Sequence, residues 1–162
     1  MEKANYESEN VCCPRIDPAL WEDRNLDWHN KMFVKDRVHT FMFMPLDFGR
    51  VMSRIGKKIS NAGAVIPDYL ALSDHTSKWN MDIYVAVDRE VPGAVNTTIS
   101  GKFFSKIYEG PFSDTGKWCK DFDSVVKSRG SSVKKLFMWY TTCPKCAKKY
   151  GKNYVAVIGE LN

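Results

Sequence analysis

The residues best spaced for chemistry are two cysteines near the C-terminal end, Cys143-Pro-Lys-Cys146. Two thiols at this spacing form half of a zinc knuckle, and Cys12 with Cys13 complete a four-thiolate set if the N-terminal segment folds back. The same spacing is that of a redox couple, but no thioredoxin-like strand-helix-strand unit precedes it. With five cysteines and a start, MEKANYESEN, that lacks the form of a signal peptide, the expectation is reduced thiols and no cofactor. Zinc on Cys12, Cys13, Cys143 and Cys146 is the alternative. Cys119 falls on a helical apolar stripe and reads as core.

The second candidate chemistry belongs to carboxylates and tyrosines. Asp82 and Tyr84 alternate along one apolar segment, and Glu109 ends another. Glu109 or Asp82 would activate water, and Tyr84, Tyr154 or Tyr140 would donate a proton or orient a ligand. A half-buried carboxylate beside aromatic rings has its pKa raised by desolvation, which suits a general base. His29, His39 and His75 are scattered, and the chain has no G-x-S-x-G, H-E-x-x-H or phosphate loop.

The elements that would position these residues occur twice. Strand 37–44, Pro45 and a cap candidate, Asp47, lead into a helix over 48–62 with an apolar stripe at Phe48, Val51, Met52, Ile55 and Ile59, stopping near Gly63. Strand 102–108, Gly110-Pro111 and Ser113 or Asp114 lead into a helix over 114–129 with Trp118, Cys119, Phe122, Val125 and Val126, stopping at Gly130. Two strands follow each helix, 69–72 and 81–87, then 135–140 and 153–158. Tyr84-Val85-Ala86-Val87 recurs as Tyr154-Val155-Ala156-Val157, so the chain reads as a duplicated unit of about 65–70 residues.

The fold expected is therefore α+β: tandem β-α-β-β units, about 36–90 and 98–160, related by a pseudo-two-fold, in antiparallel sheet with helices on one face. Residues 1–35, with Trp21 and Trp28, form an arm lying against this single domain of 36–162. If Val85, Val87, Val155 and Val157 face the helices, then Asp82, Tyr84 and Tyr154 face a seam between the units. Strand 37–44 offers His39, Phe41 and Phe43 to it, and strand 135–140 offers Trp139 or Tyr140. Such an aromatic cleft suits a planar organic ligand; the same rings would also serve as seam core.

Composition bounds the rest. A chain of 162 residues, 44% apolar and 13% aromatic, is globular. It lacks any apolar run of about 18 residues, so no membrane span is expected, and the cytoplasm is the default. The net charge of +5 is mild, and Lys145, Lys148, Lys149 and Lys152 surround a single aromatic residue, Tyr150. A solvated loop explains them, and no nucleic-acid partner is expected.

Two β-α-β-β units, with Tyr108-Glu109-Gly110-Pro111-Phe112 leading into the second helix, resemble the GyrI-like small-molecule-binding family. The resemblance covers residues 36–160. Cys12-Cys13-Pro14-Arg15 and the Cys143–Cys146 loop further resemble a bacterial subgroup of it, some members of which carry a hydrolase label. It implies a ligand cleft lined by strand faces turned away from the helices, here Tyr84, Tyr154, His39, Phe41, Trp139, Tyr140 and Tyr108. In that family a carboxylate on the last strand of a unit meets cationic aromatic ligands; the matching positions here are Tyr84 and Tyr154, which leaves Asp82 and Glu109 as the nearest acids. The function implied is a stand-alone cytoplasmic protein that senses or sequesters planar organic or xenobiotic ligands. The alternatives are a hydrolase acting on an electrophilic xenobiotic and a zinc-stabilised interaction module.

Overall fold

The structure is a computed structural model and describes residues 13–162. Its elements are β1 (Arg24–Phe41), β2 (Met44–Pro45), α1 (Phe48–Asn61), β3 (Ala71–Asp74), β4 (Asn80–Ala86), β5 (Val95–Glu109), α2 (Thr115–Ser128), β6 (Val133–Tyr140), α3 (Pro144–Tyr150) and β7 (Tyr154–Leu161). Two compact units divide them. The central unit is Asp27–Gly101; the terminal unit joins the described part of the first 26 residues to Lys102–Asn162.

In the central unit the strand order is β2-β1-β4-β3, with these neighbours antiparallel. Helix α1 buries Val51, Ile55 and Ile59, one residue per turn, against Val34, Val38, Met81, Ile83, Val85 and Val87. Each such side chain contributes roughly 1.5–3 kcal/mol by leaving water. Asp36 faces the same side of β1 and takes Arg54 of α1 in a fork, with N–O distances of 2.8 to 3.0 Å. The helix is thus held by its apolar stripe and pinned at its edge by one bidentate pair.

The terminal unit has the order β6-β7-β5, again antiparallel. Here α2 buries Trp118, Phe122 and Val126 against Phe104, Met138, Val155 and Val157. Gly159 allows the close approach: a Cβ there would lie 2.6 Å from the Phe122 ring. The N-terminal arm covers the opposite side of this sheet. Trp21 sets its ring edge-on to Trp139 at 5.0 Å, the Ser105 hydroxyl donates to the Trp21 carbonyl at 2.7 Å, and Glu22 accepts from Lys106 and from the Ile107 amide.

The observed α+β architecture agrees with the expectation, and several details differ. β1 begins at Arg24, so residues 24–35, expected in the arm, are all strand. The chain turns at Met42 and Phe43, both at positive φ, so Phe43 lies in a hairpin and not on a strand. Asp47 precedes α1, but its carboxylate binds His39 in place of capping the helix. The segment around Cys143–Cys146, expected as a loop, contains α3. No helix among the described residues is long and apolar enough to cross a membrane.

Two glycines separate packing from backbone effects. Gly159→Ala should lower stability by about 1–3 kcal/mol through overpacking against Phe122. Gly56→Ala, on the exposed side of α1 with nothing within 4 Å, should raise it by about 0.5–1 kcal/mol. Urea denaturation of both variants checks the contrast. His75 supplies a pH test: burial pushes its imidazole below the ordinary 6.5, with Asp74 opposing. The unfolded chain therefore takes up this proton first, so the contribution is present above pH 6.5 and is lost as pH falls toward the lower folded value. His75→Gln should flatten the fall in urea midpoint between about pH 7.5 and 5.5.

Candidate functional site

The side chains on the helix-free face of each sheet are set by alternation. In the central unit Met81, Ile83, Val85 and Val87 turn to α1, which leaves Asp82, Tyr84 and Ala86 on the other side. Antiparallel register places Arg37 opposite Asp82 and Lys35 opposite Tyr84. Asp82 is buried at 5% exposure and accepts from Arg37 Nε at 3.1 Å, with Lys35 Nζ at 3.6 Å. That carboxylate is an ion-pair hub, its lone pairs committed to protein cations. Tyr84 meets Phe33 edge-on at 6.3 Å, and the Lys35 ammonium lies 5.5 Å from its ring centre.

Further along β1, His39 and Phe41 are exposed. Asp47 accepts from the His39 amide at 2.8 Å and lies 3.0 Å from Nδ1; the His39 side-chain hydrogen bond holds its carboxyl below the usual range. Phe41 packs edge-on against Trp79 at 5.7 Å.

In the terminal unit Val155 and Val157 turn to α2, and Tyr154 turns away, paired across the ladder with Glu109. Glu109 is exposed and Tyr154 half-buried. Lys152 lies with its ammonium 5.8 Å from the Tyr154 ring centre. Its pKa is raised, first by a side-chain hydrogen bond with Tyr154 and further by the Glu109 carboxylate. The turn carrying these groups is fixed by Asn153, whose amide donates to the Gly110 carbonyl at 2.7 Å, and by the Thr142 hydroxyl donating to Asn153 at 2.9 Å. An acid, an ammonium and a phenol thus gather where β5 ends and β7 begins.

The remaining candidates separate by face. Trp139 is on the helix-free side, buried beneath Trp21. Tyr108 and Tyr140 pack instead on the α2 side. Tyr108 stacks on Trp118 and donates to Asp121 at 2.6 Å; burial, then that bond, pushes its pKa up. Tyr140 meets Phe112 edge-on, and burial pushes it up to about 12. Both are neutral phenols engaged in packing. Lys35, Arg37 and Lys152 were absent from the sequence-derived set, although alternation opposite Asp82 and Tyr84 points to the first two.

The thiols also meet. The sulfurs of Cys13, Cys143 and Cys146 all lie within 4.8 Å of one another, so these three can hold a metal ion. Cys12 falls outside the described residues. The Cys143 amide donates to Cys13 Sγ at 3.3 Å, the Tyr150 hydroxyl donates to the Cys13 carbonyl, and the Arg15 guanidinium lies 4.0 Å over the Tyr150 ring. Cys119 is a half-buried residue of α2 packed against its core, and burial pushes its thiol pKa up. Two surface hollows lie elsewhere. One of about 180 Å³ in the central unit is lined by Val34, Asp36, Arg54 and Lys58 among others, and one of about 310 Å³ in the terminal unit by Phe104, Val126 and Arg129 among others.

Similar folds are known. The C-terminal domain of EcmrR superposes with a TM-score of 0.63 at 12% identity, covering 88% of this chain and 98% of that one. EcmrR in its complex with DNA gives 0.63 at 11% identity, covering 88% of this chain and 58% of that one. A hydrolase from Listeria innocua gives 0.60 at 11% identity, covering 87% and 92%. At such identities the likeness establishes the fold, which is GyrI-like. No curated protein matches. The sequence model described as bacterial hydrolase matches residues 3–161, nearly the whole length, and the chain belongs to that bacterial hydrolase family.

Proposed function

We propose that this protein binds a planar organic small molecule on the helix-free sheet faces and hydrolyses it at the Glu109 end of the terminal unit. One observation carries the binding reading. The tyrosine of the repeated Tyr-Val-Ala-Val segment turns away from the helix in both units, and in both a lysine ammonium lies over its ring, at 5.5 Å for Tyr84 and 5.8 Å for Tyr154. The half-buried Tyr154 supplies ring contact area and a phenol as polar anchor, whereas Tyr84 is 9% exposed and presents little of either. With Lys35, Arg37 and Lys152 alongside, the ligand favoured is neutral or anionic, not cationic.

Hydrolysis follows from the exposed Glu109 beside Tyr154 and Lys152, and the family's description supports it. Glu109 takes a proton from water as the water oxygen bonds to an electrophilic carbon of the ligand. The bond from that carbon to its leaving atom breaks, and Tyr154 protonates the leaving atom. The Lys152 ammonium stabilises the phenolate formed. The proton on Glu109 then returns through solvent to Tyr154, so the net change is the addition of water. Asp82 is not the base, because two cations already occupy its carboxylate.

A second reading, binding without turnover in a sensing or sequestering role, is favoured by the central unit, where the tyrosine is present and the acid is fully engaged. The two readings give opposite mutant patterns. For hydrolysis, Glu109→Gln should cut turnover of an electrophilic planar substrate by about 10²–10⁴-fold while leaving affinity nearly unchanged. For binding alone, no compound is turned over, and Tyr154→Phe should weaken affinity by about 0.5–1.5 kcal/mol, one hydrogen bond. A thermal-shift screen of neutral, anionic and cationic aromatic compounds selects the probes, since a ligand of the folded state raises Tm. A preference for cations, or turnover unaffected in Glu109→Gln, overturns the assignment of Glu109 and the lysines.

A further inference from the structure

The chemistry proposed above uses no cysteine, yet three thiols from distant parts of the chain converge. Cys146 is fully buried, and Cys13 and Cys143 are half-buried. Cys13 comes from the arm, Cys143 directly precedes α3, and Cys146 lies within its first turn. We infer that Cys13, Cys143 and Cys146 bind a zinc ion that fastens the N-terminal arm to α3.

Three features of the cluster support a metal over three thiols packed as small apolar groups. The first is distance. Thiolates around zinc bond at about 2.3 Å and sit about 3.8 Å apart in a tetrahedron. Sulfurs within 4.8 Å of one another reach that spacing by side-chain adjustments of about 1 Å or less. The second is donor type: the group holds sulfur alone among the described residues, and a soft set of this kind selects zinc over magnesium or calcium. The third is the surrounding shell. The Cys143 amide already donates to Cys13 Sγ, the kind of outer contact that orients a metal-bound thiolate.

The same two segments are joined a second time, by Tyr150 donating to the Cys13 carbonyl and by Arg15 over the Tyr150 ring. A metal here therefore completes a junction that the fold has assembled. On binding, the three thiols release their protons to solvent and the sulfurs coordinate the ion. The sequence supplies a fourth thiol at Cys12, outside the described residues. Downstream of this clasp the arm carries Trp21 and Glu22 onto the terminal sheet, so the role assigned to the ion is structural.

The test uses the full chain without a metal-binding tag. Elemental analysis should find about one zinc per chain. After chelation under reducing conditions, cobalt(II) should give a thiolate-to-cobalt charge-transfer band and the strong visible bands of a tetrahedral site, both abolished by added zinc. Cys143→Ser and Cys146→Ser should each lose the metal and the bands; Cys119→Ser, outside the cluster, should keep both. Chelation should also speed proteolytic cleavage between residues 13 and 23. Wild-type protein that carries no zinc and gives no cobalt–thiolate band when reduced overturns the inference, and that result does not depend on any variant folding. Retention of metal by both Cys143→Ser and Cys146→Ser overturns it as well. Neither outcome bears on turnover by Glu109.

Discussion

Each unit has one long helix and a small antiparallel sheet with two faces, and this arithmetic of surfaces governs the molecule. The helix must take one face completely. Alternation then fixes the orientation of every strand residue, because a shift of one position would exchange the two faces. Val85 and Val155 turn to their helices, so Tyr84 and Tyr154 must turn away. The Phe122 ring comes so close to β7 that a Cβ at position 159 would lie 2.6 Å from it.

The helix-free faces carry the polarity that the helices exclude. In the central unit a buried acid is neutralised by two cations, and the adjacent phenol lies under one of them. In the terminal unit the arm occupies the Trp139 region, while Glu109, Lys152 and Tyr154 cluster at the end of the ladder. The buried Asp82 charge is screened less than in water, whereas Glu109 and Lys152 are exposed to solvent. The side chains used for packing and those available for chemistry are therefore neighbours in sequence but separated by the thickness of a strand. Tyr108 and Glu109 show this, one stacked on Trp118 and the other exposed.

The succession of strand, helix and further strands in each unit was legible because both helices carry strong apolar stripes followed by glycines. Facing was legible for Asp82, Tyr84 and Tyr154 from alternation. Alternation also bars Trp139 and Tyr140 from sharing a face, and packing beneath Trp21 and beside α2 decides between them. The beginning of β1 was not legible: Arg24-Asn25-Leu26-Asp27-Trp28-His29-Asn30 mixes charge and apolar residues without a clean period, and Asn30 takes positive φ within it. The turn at Met42 and Phe43 is hidden by residue type, since neither favours the left-handed region. Asp47 had the form of a cap, and only the tertiary position of His39 diverts it.

The division of the chain has a consequence for how the protein is made. The central unit is one continuous stretch, Asp27–Gly101. The terminal unit is split: its arm leaves the ribosome first, yet β7, the strand between β5 and β6, is synthesised after every other strand of that unit. At roughly 5–20 residues per second the arm waits several seconds for the sheet it packs on, with Trp21 and the thiol of Cys13 uncovered. The central unit is therefore fully synthesised before the strand that completes the terminal sheet.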